Sequence, residues 1–495
     1  MGLEIPRDRF EDEEFKRFAE KLEVNLRALE VLLKRPAFGV GPASVGAELE
    51  LNLVGADGRP ALLNREVLER VHDERLTLEV NRFNLEINAR PSPLEGRPFS
   101  ALHAELGHAL LAARRGASSL GARIATIGIL PTLEKRHLGA GVLSEGHRYR
   151  ALSAGLLRIR GEPFTVHIQG DDELSVISHD VTFEGANTSL QVHLRVDPGS
   201  FARTYNAAQL ATAVVVAAAG NSPFFLGKRL WHETRVALFR QAVDDRGDAR
   251  DDDWRPARVS FGHGWVRHGA LELFEEAVRL HEPLLPVVGS EDPLEVVMAG
   301  GIPRLAEMRL HHGTVWRWNR AVYDDTAGGH LRIEMRALPA GPTLRDTVAN
   351  AAFLVGLALG LAPRMDDYAA GMTFGHARRN FYEAARHGLA AELLWPESVA
   401  PSPRGVVARE LIHRLLPVAR QGLLGGGVEA AEADAWLADV QRRVTTGLTG
   451  AVWQRRGYEQ ALGTCSPGDA LRAMLGRYLD LSETDTPVHA WDSLE

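Results

Sequence analysis

The stretch that decides the fold is Ser44-Val45-Gly46-Ala47-Glu48-Leu49-Glu50-Leu51-Asn52-Leu53-Val54. Apolar residues alternate there with acidic or small ones, which is the period-two pattern of a β-strand, and a polar Ala56-Asp57-Gly58 turn follows. Residues two apart in a strand point to the same face, so Glu48 and Glu50 project side by side from a segment apolar enough to be buried. One interpretation is an edge strand with its acidic face in water. The other is a pair of carboxylates that needs a cation.

Several other segments continue this pattern and define the fold class. Alternation predicts strands at Asn84–Asn88, Ser189–Val196 and His330–Leu338, and a more continuously apolar run predicts another at Arg123–Leu130. Apolar residues at helical spacing predict helices at Glu13–Lys34, Ala101–Arg115, Thr204–Ala219, Leu271–Leu280, Leu344–Leu361 and over most of Gly375–Tyr478. No regular βαβ repeat connects them, so we expect an α+β fold.

The polar faces of these strands carry further candidate ligands. They are Glu79 and Glu86 around Asn84–Asn88, His193 in Gln191-Val192-His193, and Glu334 with Arg336. Carboxylates with one histidine favour Mg²⁺ or Mn²⁺, and several of them on one sheet indicate two or more ions that clamp a polyphosphate. Arg336 would add positive charge for phosphoryl oxygens. This repetition favours the cation-binding interpretation over the solvated edge strand.

The composition excludes several classes of protein. Of 495 residues, 45% are hydrophobic and 25% charged, which is an ordinary globular mixture rather than a disordered or disulfide-stapled one. The net charge of −8 argues against nonspecific binding to nucleic acid or to anionic membranes. Cys465 is the only cysteine, so an intrachain disulfide and a cysteine-rich zinc site are excluded. We expect a cytoplasmic protein, because the charged N-terminus has no secretory pattern.

The most apolar segments are predicted to form helices in the core. Leu210–Ala219 and Val348–Ala362 are each shorter than the roughly 20 residues of a membrane span. Gly356 and Gly360 form a GxxxG pair, which we interpret as close helix packing in a core. Asp244–Arg258, a run of Asp and Arg, predicts a solvated loop.

Together these residues resemble a known family, the glutamate–cysteine ligases, and within it the bacterial carboxylate–amine ligase branch of the glutamine-synthetase-like superfamily. The matching elements, in chain order, are Gly46-Ala47-Glu48-Leu49-Glu50, Glu79 seven residues before Glu86, Thr188-Ser189-Leu190-Gln191-Val192-His193, Ile333-Glu334-Met335-Arg336 and the helical Ala377–Leu394. The motifs of the first four elements run from Gly46 to Arg336, within about the first two thirds of the chain.

The resemblance implies a curved, mainly antiparallel sheet lined with metal ligands and surrounded by helices. It implies that Glu48, His193 and Glu334 hold the metal nearest the ATP phosphates, and that Glu50, Glu79 and Glu86 hold the metal or metals facing the acceptor carboxylate. Arg336 would contact the transferred phosphate and, with Glu48, is the expected catalytic residue. The implied reaction uses ATP to phosphorylate the γ-carboxylate of glutamate, and a small amine, with cysteine as the first candidate, then forms an amide. The implied partners are therefore small molecules, ATP, glutamate and an amine, with Mg²⁺ or Mn²⁺, and the chain could form a homo-oligomer.

Other assignments remain open from sequence alone. Arg235 lies where relatives tend to carry a substrate-facing arginine, although a surface arginine is the simpler interpretation. Gln191 and Trp316 are candidate substrate-binding residues, but Trp316 could equally be a structural tryptophan in a packed strand. The function could instead be that of a ligase or kinase for another carboxylate or a guanidino group, or of a noncatalytic binding protein with this fold. We expect an N-terminal helix in 1–40, a catalytic domain in 41–395 and a helical extension in 396–495, with a possible hinge after Trp395-Pro396.

Overall fold

The computed structural model describes Ile5 and residues 7–247, 255–396 and 402–491. The helices are α1 (Asp12–Leu33), α2 (Asn64–Val71), α3 (Pro98–Ser118), α4 (His147–Arg160), α5 (Phe201–Ala219), α6 (Arg235–Ala242), α7 (Ala270–Leu280), α8 (Pro293–Met298), α9 (Ala306–His312), α10 (Leu344–Leu361), α11 (Met365–Gly371), α12 (Phe374–His387), α13 (Ala408–Gly425), α14 (Ala430–Thr446), α15 (Gly450–Leu462) and α16 (Pro467–Glu483). The strands are β1 (Ser44–Gly55), β2 (Leu76–Leu78), β3 (Asn84–Asn88), β4 (Ser92–Pro93), β5 (Ala122–Ala125), β6 (Phe164–Gln169), β7 (Glu173–Ser178), β8 (Ser189–Val196), β9 (Phe224–Phe225), β10 (Lys228–Arg229), β11 (Asn319–Asp324), β12 (His330–Pro339), β13 (Glu392–Trp395) and β14 (Arg404–Val407).

A curved antiparallel sheet organises the protein. Its strand order is β11-β12-β8-β1-β3-β2, and β4 and β5 also pair with β1. The register between β12 and β8 shifts between Met335 and Leu338, an irregularity of the kind that bends a strand. The expected α+β class and the curved, mainly antiparallel sheet with surrounding helices are confirmed.

The two faces of β1 explain where the core and the site lie. Leu49, Leu51 and Leu53 are fully buried on one face, and β1 packs there against α3. Glu48 and Glu50 project from the opposite face. Because each neighbouring strand alternates in the same way, the polar residues of all of them are gathered on one surface. We call this surface the polar face.

The strand predictions differ in accuracy. Those at Asn84–Asn88 and Ser189–Val196 agree with β3 and β8 to the residue. The strand predicted at Arg123–Leu130 is too long, since β5 ends at Ala125 and the chain then leaves the ladder, with Gly128 N donating to the Asn221 carbonyl. A continuous apolar run gives no signal for the residue at which pairing stops.

Close packing of two helices forms part of the core. A methyl group on Gly356 of α10 would lie 2.7 Å from the carbonyl oxygen of Ala419 in α13, and one on Gly360 would collide with the carbonyl oxygen of Val418 in the same helix. The GxxxG pair is thus a helix-packing contact inside the protein, as predicted. The continuous helical stretch Leu344–Gly371 is long and apolar enough to cross a membrane, but 72% of its most apolar window is buried in the protein, which is typical of a core helix.

The charged run Asp244–Arg258 is only partly described, because residues 248–254 lie outside the described residues. Both described ends are loop as predicted, but the chain is not solvated at Asp245 and Arg258. Arg258 is fully buried and its Nε lies 2.5 Å from Oδ2 of Asp245, which is also buried. The pairing of these opposite charges permits their burial. Near the proposed hinge, β13 pairs with β14, so the chain on either side of residues 397–401 is joined in a hairpin.

Candidate active site

Adjacent strands bring the predicted ligands together on the polar face. Glu50 stands opposite Glu86 of β3, and Glu334 of β12 stands opposite His193 of β8. His193 also lies beside Glu48, with 3.2 Å between Nε2 and Oε1. Alternation within strands and antiparallel register between them are therefore sufficient to assemble most of the site.

The acceptor-side carboxylates form a compact group. One carboxylate oxygen from each of Glu50, Glu79 and Glu86 lies within 4.8 Å of the others. We call these three residues the acidic trio. Glu79 is not in a strand: it follows β2, and the pairing of β2 with β3 carries it back to Glu86. Three carboxylates at this spacing fit the oxygen ligands that Mg²⁺ and Mn²⁺ prefer.

The pKa values of all three carboxyl groups of the trio are raised, chiefly by burial. Burial, and then the charges of Glu48 and Glu50, raise the pKa of Glu86 to about 8. Burial and the neighbouring Glu86 and Glu50 raise the pKa of Glu79 well above its ordinary value. The pKa of Glu50 is also raised by burial, although Arg235 and Arg336 oppose the shift. A bound divalent cation would supply the missing positive charge.

Glu48 and His193 form a second, differently charged group. Burial alone would raise the pKa of Glu48, but the adjacent His193 imidazole lowers that pKa to about 2. His193 is 8% exposed, and among the described residues neither of its ring nitrogens has a partner with hydrogen-bond geometry. A buried imidazole nitrogen without a partner beside a carboxylate fits a metal ligand.

Glu334 is held by two arginines. Arg320 donates to it from Nη2 to Oε2 at 2.8 Å and from Nε to Oε2 at 3.2 Å, and Arg336 donates to Oε1. Burial opposes ionisation, but Arg320 and Arg336 hold the pKa of Glu334 well below its usual range. In this arrangement the carboxylate is a salt-bridge partner. Its role as a metal ligand stays a prediction.

Gln191 connects the two halves of the site. Its Nε2 donates to Oε1 of Glu50 at 3.0 Å, and its Oε1 accepts from Nη1 of Arg336. The backbone N–H of Ser189 donates to the other oxygen of Glu50 at 2.7 Å. The amide therefore fixes the orientation of Arg336 relative to the acidic trio.

A cavity of about 210 Å³ opens beside Glu48 and His193. Its walls come from the start of β1, the segment after β3, and Arg332 of β12. Arg332 shares the polar face with Glu334 and lies 3.4 Å from Asp324. Because Glu48 and His193 line it, this cavity is part of the site on the side of Glu48.

Arg235 is not a surface residue, so the simpler interpretation of the sequence is wrong. The residue is 2% exposed, and its Nη1 donates to Oε1 of Glu233 at 3.1 Å and to the Ala337 carbonyl at 3.2 Å. The positive charge of Arg235 acts on the trio, where it opposes the upward shift in the pKa of Glu50. The sequence could not reveal this, because burial and the approach of Ala337, from a distant element, leave no local pattern.

Trp316 lies in an aromatic cluster. Its ring centroid is 6.1 Å from that of Phe239, which also packs edge-on against Trp318 at 5.7 Å. The described contacts of Trp316 do not include the carboxylates of the site. The arrangement agrees with the structural alternative, and a substrate-binding role for Trp316 stays a prediction.

Sequence reasoning missed three residues on or beside the polar face. Arg320 of β11 stands opposite Glu334, and Asn88 donates to Oε1 of Glu86 at 2.8 Å. Glu184 is a further carboxyl, partly buried, and burial together with the charge of Glu50 raises its pKa to about 8. Asn88 was detectable, because it is two residues from Glu86 in a predicted strand. Glu184 gave no pattern, because it follows a single 3₁₀ turn.

Comparisons with known proteins agree with this geometry. The family model of glutamate-cysteine ligase family 2 matches residues 44–467. The structure of a glutamate–cysteine ligase from Francisella tularensis, solved in complex with AMP, is similar with a TM-score of 0.53 at 11% identity, over 92% of this chain and 96% of that one. A bifunctional glutathione synthetase from Pasteurella multocida gives a TM-score of 0.48 at 11% identity, over 93% of this chain and 55% of its own. No curated protein sequence matches the chain significantly.

The two kinds of comparison carry different weight. At 11% identity the Francisella structure supports the fold alone. The family match spans more than half of the chain and includes β1, β3, β8 and β12, the strands that carry most of the predicted ligands. The chain therefore belongs to glutamate-cysteine ligase family 2 and is an ATP-dependent carboxylate–amine ligase.

Proposed function

We propose that this enzyme joins the γ-carboxylate of glutamate to a small amine, with cysteine as the first candidate. The observation that carries the proposal is the order of charges along the polar face. Gln191 bonds to Glu50 of the acidic trio and to Arg336, and it stands opposite Glu48, which in turn contacts His193. During phosphoryl transfer, negative charge lies on the oxygens of both the donor and the acceptor. This arrangement offers a cation site for each of them.

The reaction proceeds in two steps. The γ-phosphoryl group of ATP moves to a carboxylate oxygen of glutamate, which gives ADP and an acyl phosphate. The amine nitrogen then attacks the acyl carbon, phosphate leaves, and the nitrogen loses a proton to give the amide. No protein nucleophile is required, so the enzyme acts by positioning and by neutralising charge.

The residues take the following proposed roles. Glu48, His193 and Glu334 hold a divalent cation on the ATP side, and the trio of Glu50, Glu79 and Glu86 holds one on the acceptor side. Mg²⁺ or Mn²⁺ in these sites would neutralise phosphoryl oxygens. Arg336 contacts the transferred phosphoryl group, and Gln191 keeps its guanidinium in place. Arg235 supports the site by placing buried positive charge near Glu50.

The test of this function is product analysis. Purified protein with Mg²⁺, ATP and glutamate is scanned across cysteine and other amines, with ADP measured and the product identified by mass spectrometry. A γ-glutamyl amide with one preferred amine supports the proposal and identifies the acceptor. ADP without an amide indicates a different acceptor or a kinase, and an absence of ATP binding contradicts the proposal.

Replacement of Glu48 tests the assignment of the ATP-side cation. Glu48→Ala removes a carboxylate from beside His193, so we expect ATP-dependent turnover to fall at least about a hundredfold, as is usual when a metal site loses an important group. Circular dichroism should show an unchanged fold. Glu173→Ala, at an exposed position of β7, is the control and should retain activity. Undiminished turnover in Glu48→Ala would remove Glu48 from the site.

A further inference from the structure

Glu184 is held beside the acidic trio by its backbone. It follows a 3₁₀ turn, Val181–Phe183, whose Thr182 carbonyl accepts a hydrogen bond from Nδ2 of Asn81 at 2.9 Å. A Cβ on Gly185 would lie 2.6 Å from the same Asn81 nitrogen, so the two segments are in close contact. Asn81 is two residues from Glu79. The turn therefore places Glu184 next to the acceptor side of the site.

The carboxyl group of Glu184 is close enough to that site to interact with its charges. The charges of Glu50 and Arg336 both act on it, and it acts in turn on Glu79. Its Oε2 is buried and has no hydrogen-bond partner among the described residues. A buried carboxylate oxygen without a partner is costly, and a positively charged ligand would satisfy it.

The spacing distinguishes two kinds of positive ligand. A divalent cation prefers several oxygens at short range, and the oxygens that lie within 4.8 Å of one another belong to Glu50, Glu79 and Glu86. Glu184 is not a member of that group. A single carboxylate beside a metal cluster suits a monovalent organic cation, which it can bind through one charge-assisted hydrogen bond.

We propose that Glu184 is a specificity-determining residue that binds the ammonium group of the amine acceptor. This inference rests on the proposed function. The ammonium would lie between Glu184 and the carboxylate activated beside Glu50 and Arg336, and it would lose one proton to the Glu184 carboxylate before its nitrogen attacks the acyl carbon. The enzyme would thereby select protonated amines over neutral molecules of similar size.

The test uses one neutral and one cationic amine. With Mg²⁺, ATP and glutamate, hydroxylamine traps the acyl phosphate as a hydroxamate. At about pH 9 hydroxylamine is uncharged, methylamine is protonated like a lysine side chain, and Glu184, whose pKa is raised to about 8, is mostly ionised. We expect methylamine to compete with hydroxylamine in the wild-type enzyme. Glu184→Gln should weaken this competition about tenfold or more while the KM for ATP stays near wild type.

Two further variants and the remaining outcomes decide between explanations. Glu184→Asp keeps the charge and should retain more of the competition than Glu184→Gln, and Glu173→Gln, at an exposed position, should match wild type. If wild-type enzyme forms no hydroxamate, the proposed function itself fails. If hydroxamate forms but methylamine neither competes nor reacts, or Glu184→Gln competes equally, the role of Glu184 is refuted. A loss of ATP affinity in Glu184→Gln would instead make Glu184 part of the metal site and also overturn the proposal.

Discussion

At the scale of single residues, Arg320 shows how much of the site is held by buried ion pairs. Its guanidinium makes two donor contacts to Oε2 of Glu334, whose side chain is 2% exposed. Arg336 pairs with Oε1 of the same carboxylate. Removal of either arginine would leave a buried negative charge only partly compensated.

Arg320→Met should therefore destabilise the protein strongly. We expect the free energy of unfolding to fall by about 3–5 kcal/mol, because one partner of a buried ion pair is lost. Chemical denaturation measures the difference. The control is Arg309→Met, which breaks a 2.7 Å pair with Asp325 on a more exposed surface and should cost about 0–1 kcal/mol. Equal losses in the two variants would mean that Arg320 does not support Glu334.

Sequence alone places the candidate ligands better than their partners. The spacing of Glu48, Glu50 and Glu86 within strands fixes the face of each, because side chains alternate with a period of two. The pairing of Arg320 with Glu334 depends on the register of β11 with β12, and the role of Arg235 depends on its burial. Neither this register nor this burial can be predicted from the residues that neighbour Arg320 or Arg235 in the sequence.

At the scale of elements, prediction succeeded where the pattern was strong. The start and end of α10 agree to the residue, because Thr343 caps its N-terminus by accepting from Asp346 N. The hairpins β6–β7 and β13–β14 were missed. Apolar and polar residues alternate regularly in β6, so its strand pattern was present in the sequence. Within Gly375–Tyr478, by contrast, the helical pattern concealed β13 and β14.

The contact of α10 with α13 predicts a sharp difference between two glycines of the same helix. A methyl group on Gly422 would collide with the Gly356 carbonyl oxygen, whereas one on Gly425 would have no heavy atom within 4 Å. Gly422→Ala should lower the free energy of unfolding by about 1–3 kcal/mol or more, since backbone must move. Gly425→Ala should be neutral or slightly stabilising. Thermal unfolding of both variants checks this, and similar melting temperatures would contradict the close packing.

At the scale of the whole molecule, the polar face couples stability to pH and to divalent cations. Glu86 has its pKa raised to about 8 in the folded protein, far above its ordinary value of 4.5. The folded state therefore binds more protons than the unfolded state between these values, and stability must fall as pH rises through this window. A cation that binds the ionised trio reverses this loss and releases protons.

We expect the melting temperature in EDTA to decrease as pH rises from about 5 to about 8, with Mg²⁺ stabilising the protein more at the upper end of that range. Glu86→Gln removes one titrating carboxyl, so its melting temperature should depend less on pH and its Mg²⁺ stabilisation should be smaller. The comparison of the two proteins isolates Glu86 from groups that titrate elsewhere in the chain. If the two curves ran parallel in EDTA and both shifted equally with Mg²⁺, Glu86 would carry neither the proton nor the cation, and the acidic trio would be only a structural cluster.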